Sequence, residues 1–240
     1  MESLRNYANK LFDIRLSDHQ LRQFELYERE LQDWNEVINL TAISDSEGIR
    51  SKHFLDSIST SLIFKECRIN RLVDVGSGAG FPGIVIKIIH PEIDLALVES
   101  VGKKVQFCEH ITEKLNLSGV KVVKARAEDI GRDSKHREKY DCAIARAVAS
   151  LPILSEYLLP LVSVNGIVVA QKGETGPAEA QKAEYAMHVL GGKLRKIIHV
   201  TLPSVVEERY LVVIDKVATT PAMYPRRVGI PSKRPLLGEK

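Results

Sequence analysis

Apolar positions along the chain change their spacing near residue 70. Ahead of that point Leu21, Phe24, Leu31, Trp34 and Ile38 recur at three and four, sharing one helical face opposite Glu25, Glu28, Arg29 and Asp33. Ser17 with Gln20 three positions later supplies a capping box at the start of that helix. A second helix is predicted from about Glu47 to Phe64, through His53, Leu55, Asp56 and Ile58. Beyond residue 70 the runs RLVDV, DLALVE, VKVVKA, YDCAIA and GIVVAQ read as strands, and segments such as 102–117, 152–160 and 177–190 as the helices between them. Strands alternating with helices imply a parallel sheet covered on both faces. The last two runs, KIIHVTL and RYLVVIDKV, leave no room between them for a crossover helix, so they must pair antiparallel. The expected fold is α/β, a doubly wound, mostly parallel seven-stranded sheet with an antiparallel last strand. The chain divides into a helical segment over 1–66, the sheet domain over 67–218 and a tail over 219–240.

Composition changes this picture little. Of 240 residues 44% are hydrophobic and 27% charged, ordinary globular values that exclude disorder and fibrous repeats. Nothing approaches the roughly 18 uninterrupted apolar residues of a membrane span, and MESLRNYANKLF is unlike a signal peptide. Cys67, Cys108 and Cys142 are odd in number and widely spaced, which fits neither a disulfide framework nor a zinc site. A cytoplasmic, monomeric protein is expected. Charge is more informative in its distribution. Residues 1–70 carry 9 Lys/Arg against 12 Asp/Glu, whereas the last 22 carry 5 against 1. A basic end on a nearly neutral body suggests local contact with an anionic partner.

The stretch DVGSGAGFPG, residues 74–83, comes after the first strand. Gly76, Gly78 and Gly80 allow a tight turn and let backbone lie against a ligand. Gly78, Gly80 and Gly83 also spell the dinucleotide fingerprint, which would make the chain an NAD-dependent oxidoreductase. Glu99, ending the second strand, is placed to bind ribose hydroxyls in either case. Asp74, two residues before the first glycine, tilts the balance: Asp-x-Gly-x-Gly-x-Gly resembles motif I of S-adenosylmethionine-dependent methyltransferases. The antiparallel last strand resembles that class as well.

A closer likeness lies in an ordered set of motifs. NLTAI at 39–43, HFLDS at 53–57, LVDVGSGAGFPG at 72–83, ARAE at 125–128, ARAVASL at 145–151, QKG at 171–173 and RYLVVI at 209–214 appear in sequence. Together they resemble the RsmG family, 16S ribosomal RNA guanine-N7 methyltransferases also called glucose-inhibited division protein B. The resemblance covers nearly the whole chain. It implies S-adenosylmethionine as cofactor, with contacts at Gly76, Phe81, Glu99, Ala127, Glu128 and Arg146. It also implies a target guanine in the 530 loop of 16S ribosomal RNA (nucleotide 527), and hence that RNA or the small ribosomal subunit as partner. YPRRVGIPSKRP, in the tail, resembles only some members.

Guanine N7 carries a lone pair and no proton at neutral pH, so its methylation needs positioning but no obligatory base. Arg146 and Lys172 come after the fourth and fifth strands, at the carboxyl edge where such sheets bind ligands. With Arg209, which the resemblance also sets near substrate, they are the candidate catalytic cations, expected to meet the incoming RNA. Cys142 reads as a buried small hydrophobe. The histidines lack ligand spacing and no metal is proposed; His53 and Asp56 read as structural, and Trp34 and Phe24 as packing. The tail cations Arg226, Arg227, Lys233 and Arg234 lie on a segment with no helical pattern and are expected to meet phosphates away from the reacting atoms. A non-catalytic RNA-binding module on the same fold remains the second alternative.

Overall fold

The computed structural model describes residues 1–238. Strands β1 (Arg71–Val75), β2 (Asp94–Glu99), β3 (Val120–Lys124), β4 (Tyr140–Arg146), β5 (Val162–Lys172), β6 (Gly192–Val200) and β7 (Arg209–Lys216) form one sheet in the order β3-β2-β1-β4-β5-β7-β6. β1 to β5 run parallel, and β7 lies antiparallel between β5 and β6. The seven-stranded α/β sheet with its antiparallel last strand is the expected one.

Strand alternation divides the interior into two cores. Leu72, Leu97, Ile144, Val169 and Val213 project to one side, and their sequence neighbours Val73, Val98, Ala145, Ala170 and Val212 to the other. Both sides are buried, because helices cover each face. α6 (Gly83–Ile89) and α7 (Gly102–Lys114) lie on the first side. α9 (Leu151–Leu158), α10 (Gly176–Lys182) and α11 (Glu184–Val189) lie on the second, with the single turn α8 (Ala127–Ile130) after β3.

The N-terminal segment belongs to the first core. α1 (Glu2–Phe12) and α2 (Asp18–Asn35) bury Leu4, Phe12, Leu21, Phe24, Tyr27 and Leu31 in the same cluster as the sheet. The capping box at Ser17 forms with both bonds in place, Gln20 N donating to Ser17 Oγ at 3.3 Å and Ser17 N to Gln20 Oε1 at 2.9 Å. Phe54 is the link, with ring centroids 4.9 Å from Phe24, 5.3 Å from Tyr27 and 6.1 Å from Phe81 of the glycine loop. Phe24 is buried in this nest, and Trp34 stands edge-on to Phe107 at 5.5 Å.

Three expectations change. The helix over 47–64 breaks into α3 (Ser46–Gly48), a π-helical stretch Ile49–Leu55, α4 (Asp56–Ile58) and α5 (Ser61–Phe64). Such wide turns recur at functional sites, and this one carries His53. The helix over 177–190 is interrupted at Ala183. The tail is not irregular throughout: α12 (Ile230–Lys233) forms after Gly229, and the segment docks on the sheet domain. Among the described residues no helix is long and apolar enough to cross a membrane.

Because Phe54 joins the helical segment to the sheet, Phe54→Ala should destabilise the protein by ~3–5 kcal/mol. The loss should appear as a single cooperative urea transition at a lower midpoint. Two separated transitions would show that residues 1–66 unfold apart from the sheet.

Candidate active site

The chain winds outward to β2 and β3 on one side of β1 and to β4 and β5 on the other. Crevices open at the carboxyl ends of strands at such a reversal. The loop after β1 lies there. Gly76 and Gly80 have φ of 73° and 89°, in the left-handed region. A Cβ on Gly76 would come within 2.5 Å of Val148 Cγ2, so only glycine lets this loop approach the end of β4. Glu99 braces the loop from β2. Its Oε2 accepts from Gly78 N at 3.0 Å, and its Oε1 from Ser100 N at 2.7 Å and Val101 N at 2.8 Å. Three backbone donors hold the carboxylate facing a cavity of about 390 Å³, lined by Gly76, Glu99, Ala127, Glu128, Val148 and Tyr157 together with Gly229 of the tail.

Asp74 sits beneath this loop, fully buried. Its Oδ2 accepts from Gly83 N at 2.8 Å, and its Oδ1 has no partner. Burial raises its carboxyl to about 8, against the opposing pull of the Gly83 hydrogen bond and the Arg146 charge. Asp74 is therefore largely protonated at neutral pH in the folded protein.

At the end of β4, Arg146 is held from the N-terminal segment. Its guanidinium donates to Asp56 Oδ2 at 2.9 Å, to the Lys52 carbonyl at 3.1 Å and to His53 Nδ1 at 3.2 Å. It also lies 5.1 Å above the Phe81 ring, on which His53 stacks at 4.6 Å. With Nδ1 accepting, His53 Nε2 carries the proton and donates to Thr41 Oγ1 at 2.8 Å. Burial, and then the Arg146 charge, lower the imidazole to about 3, so it stays neutral. HFLDS and NLTAI thus converge on Arg146. His53 and Asp56 do not pair with each other; both hold the arginine.

A second cavity of about 360 Å³ opens over this cluster, lined by Lys52, His53, Asp56, Arg146, Gln171, Lys172 and Arg209 among others. Lys172 Nζ is 2.6 Å from Glu179 Oε2 and donates to the Ala149 carbonyl at 2.8 Å. Arg209, half-buried, opens β7 beside it, since Lys172 pairs with Tyr210 in the sheet. Gln171 is buried, its Nε2 donating to the Asp56 carbonyl at 2.8 Å while its Oε1 has no partner.

The candidate residues thus fall into two groups. Gly76, Glu99, Ala127 and Glu128 line the first cavity, and Arg146, Lys172 and Arg209 the second. Gly78 and Gly80 shape the loop behind the first, while Phe81 is buried between Tyr27 and His53, at 5.2 and 4.6 Å. Arg146 and Lys172 are not free cations awaiting phosphates, because Asp56 and Glu179 face them at ion-pair distance. Cys142 is buried in β4, where burial pushes its thiol far up. Residue-type reasoning overlooked Thr41 and Gln171, whose only signal was membership of NLTAI and QKG, and Glu179, which lies outside every motif.

The tail departs furthest from expectation. Arg226 makes its ion pair with Glu156, whose side chain is completely buried, and Gly229 N donates to Glu128 Oε1 at 2.9 Å. Arg226 is therefore not available to RNA.

The fold agrees with comparisons to known proteins. The family model GidB, described as rRNA small subunit methyltransferase G, matches residues 20–210. A ribosomal RNA small subunit methyltransferase G of Roseiflexus sp. (strain RS-1) is 50% identical over 236 residues, covering 98% of this chain and all of that one. The chain belongs to this methyltransferase family. The protein of the same description from Acetivibrio thermocellus is 46% identical over 94% of this chain and 92% of its own. A match of 236 residues includes most of the tail. Family membership favours the methyl-donor reading of the glycine loop over the dinucleotide one. Solved structures share the fold alone. A 16S rRNA (adenine(1408)-N(1))-methyltransferase from Catenulisporales acidiphilia superposes with a TM-score of 0.53 at 12% identity, over 69% of this chain and 93% of that one. A geranyl diphosphate C-methyltransferase from Streptomyces coelicolor A3(2), solved with S-adenosyl-L-homocysteine, gives 0.52 at 13%, over 68% and 80%.

Asp74 yields a stability prediction. The unfolded carboxyl ionises near its ordinary value of 3.8, whereas the folded one keeps its proton to about 8. Its stabilising contribution is therefore full below the lower value and is lost as pH rises through the upper one. Asp74→Asn has no proton to lose and should gain on the native protein between pH 5 and pH 8, by on the order of a few kcal/mol. Urea midpoints of both proteins at the two pH values test this; parallel curves would assign the titration to another group.

Proposed function

We propose that this chain transfers a methyl group from S-adenosylmethionine to N7 of a guanine in 16S ribosomal RNA, at the position in the 530 loop that its family resemblance implies. The observation that carries the reading, beside family membership, is that both cavities border one continuous segment, Arg146–Ala149. Arg146 and Ala147 border the second cavity, Val148 and Ala149 the first. A methyl donor in one would face a base in the other.

The first cavity has the acceptors a nucleoside needs. Glu99 is fixed by backbone N–H groups and still offers lone pairs to ribose hydroxyls, and Ala127 and Glu128 border the same space. When bound, S-adenosylmethionine supplies an electrophilic sulfonium methyl, which the N7 lone pair takes without any proton being released. The residues around the second cavity have the task of holding the base in line and excluding water, where good orientation supplies roughly 7–11 kcal/mol. Gln171, whose buried Oε1 lacks a partner, borders the same cavity. Arg146 acts as a positioning residue, holding His53 in the cavity wall with Phe81 stacked behind it. Lys52 and Lys172 are paired with Glu207 and Glu179, so Arg209, with no acid at ion-pair distance among the described residues, is the rim cation suited to a phosphate of a splayed nucleotide.

His53 is not a base in this scheme, being neutral and hydrogen-bonded through both ring nitrogens. The single-turnover rate at saturating RNA should stay within twofold between pH 5.5 and 7.5. An ordinary histidine base would raise it about tenfold over that span, and such a rise would overturn this account. Glu99→Gln should weaken S-adenosylmethionine binding about tenfold or more, as expected for losing a charged acceptor, and titration calorimetry measures it. The function itself is tested by mapping N7-methylguanine in 16S ribosomal RNA from cells lacking the chain. One modification should disappear and return with the gene; an unchanged pattern would refute the assignment and leave a non-catalytic RNA-binding role.

A further inference from the structure

The segment after β7 is anchored at every step. Thr220 N donates to Glu138 Oε1 at 2.8 Å, Arg137 to the carbonyls of Thr220 and Tyr224 at 2.7 Å each, and Arg132 Nε to the Pro225 carbonyl at 2.7 Å. The firmest anchor is Glu156 on α9. It accepts from Arg226 N at 2.7 Å, from Nε at 2.9 and 3.1 Å and from Nη2 at 2.6 Å. A carboxylate that is completely buried needs its counter-charge, and removing the partner of such a pair is strongly destabilising. A solubilising tail would require no buried acid to receive it.

Beyond Arg226 the chain reaches the first cavity. Val228, Gly229 and Ser232 line it, opposite Gly76 and Glu99. Gly229, at φ 80°, turns the chain there and gives its N–H to Glu128, a carboxylate of the same cavity. The tail therefore supplies one wall and fixes an acid of another. The exposed cations of the same segment, Arg227, Lys233 and Arg234, face solvent.

We infer that residues 226–232 are a strap that completes the nucleoside-binding pocket, with Arg226–Glu156 as its latch and Val228, Gly229 and Ser232 as its ligand-facing wall. The inference rests on the proposed use of that cavity for S-adenosylmethionine. It makes retention of the cofactor, and not only RNA affinity, depend on the tail.

The test uses S-adenosylhomocysteine as the probe, with calorimetry for affinity and rapid mixing for release. Four proteins are compared: the full chain, a chain ending at Arg226, Arg226→Ala, and a double variant Lys233→Gln/Arg234→Gln. Truncation and latch loss should each weaken binding at least tenfold, chiefly through faster release, while the double variant stays within twofold of the full chain. Unchanged affinity on truncation would overturn the strap, as would an equal loss in the double variant, which would mean that charge alone matters. Should the truncated chain or the latch variant lack a cooperative melt, full-length Val228→Asp decides. That change sets a carboxylate in the wall near Glu128 and should also weaken binding at least tenfold, whereas native affinity would refute the wall. Failure of the full chain to bind the probe would count against the methyl-donor reading of the cavity instead.

Discussion

The site depends on keeping one guanidinium charged in a largely dry place. Arg146 ends β4 and is only 16% exposed, so it cannot rely on water to solvate its charge. Asp56 supplies the counter-charge, the Lys52 carbonyl and neutral His53 take further donors, and Phe81 offers its ring face. Leaving the partner of such a pair uncompensated costs ~3–5 kcal/mol. The N-terminal segment is thereby bound to the carboxyl edge of the sheet by polar contacts, beyond the aromatic nest around Phe54. The glycine loop is fixed in turn, because Phe81 belongs to it.

This clamp settles how charge is distributed around the second cavity. Arg146 and Lys172 are both compensated, by Asp56 and Glu179, so neither is a loose cation on the rim. Their value lies in geometry: each side chain is held by several partners and has little freedom to lose when a substrate arrives. His53 is kept neutral by burial and by the neighbouring arginine. A protonated imidazole could not accept from Arg146, so the clamp and the absence of a titrating base are one arrangement. This suits a nucleophile that has no proton to give up.

The first cavity depends on carboxylates held by backbone. Glu99 joins β2 to the glycine loop, and Glu128 joins the turn after β3 to the tail. Each acid has a structural duty and lines the cavity too, so the loop, the tail and the cavity share their supports. Asp74, deeper, has no solvent and no cation at ion-pair distance and lies protonated beneath the loop.

Much of this was legible in the chain itself. Short continuous apolar runs separated by helix-length segments dictate a two-faced sheet, and the short link before RYLVVIDKV dictates its antiparallel strand. These are local rules, which need only neighbours in sequence. DVGSGAGFPG likewise announces its turn, because glycine adopts the left-handed backbone angles involved most readily. The tertiary structure decided the partner of each charge. Arg146 finds Asp56 from 90 residues away, and Arg226 finds Glu156 from 70. A sequence shows that a residue is charged but not whether water or a buried acid will face it, so the tail looked like a free basic end. Helix continuity was equally opaque at Ile49–Leu55, where apolar spacing is compatible with α- and π-turns alike and only packing around Phe54 and Arg146 selects between them.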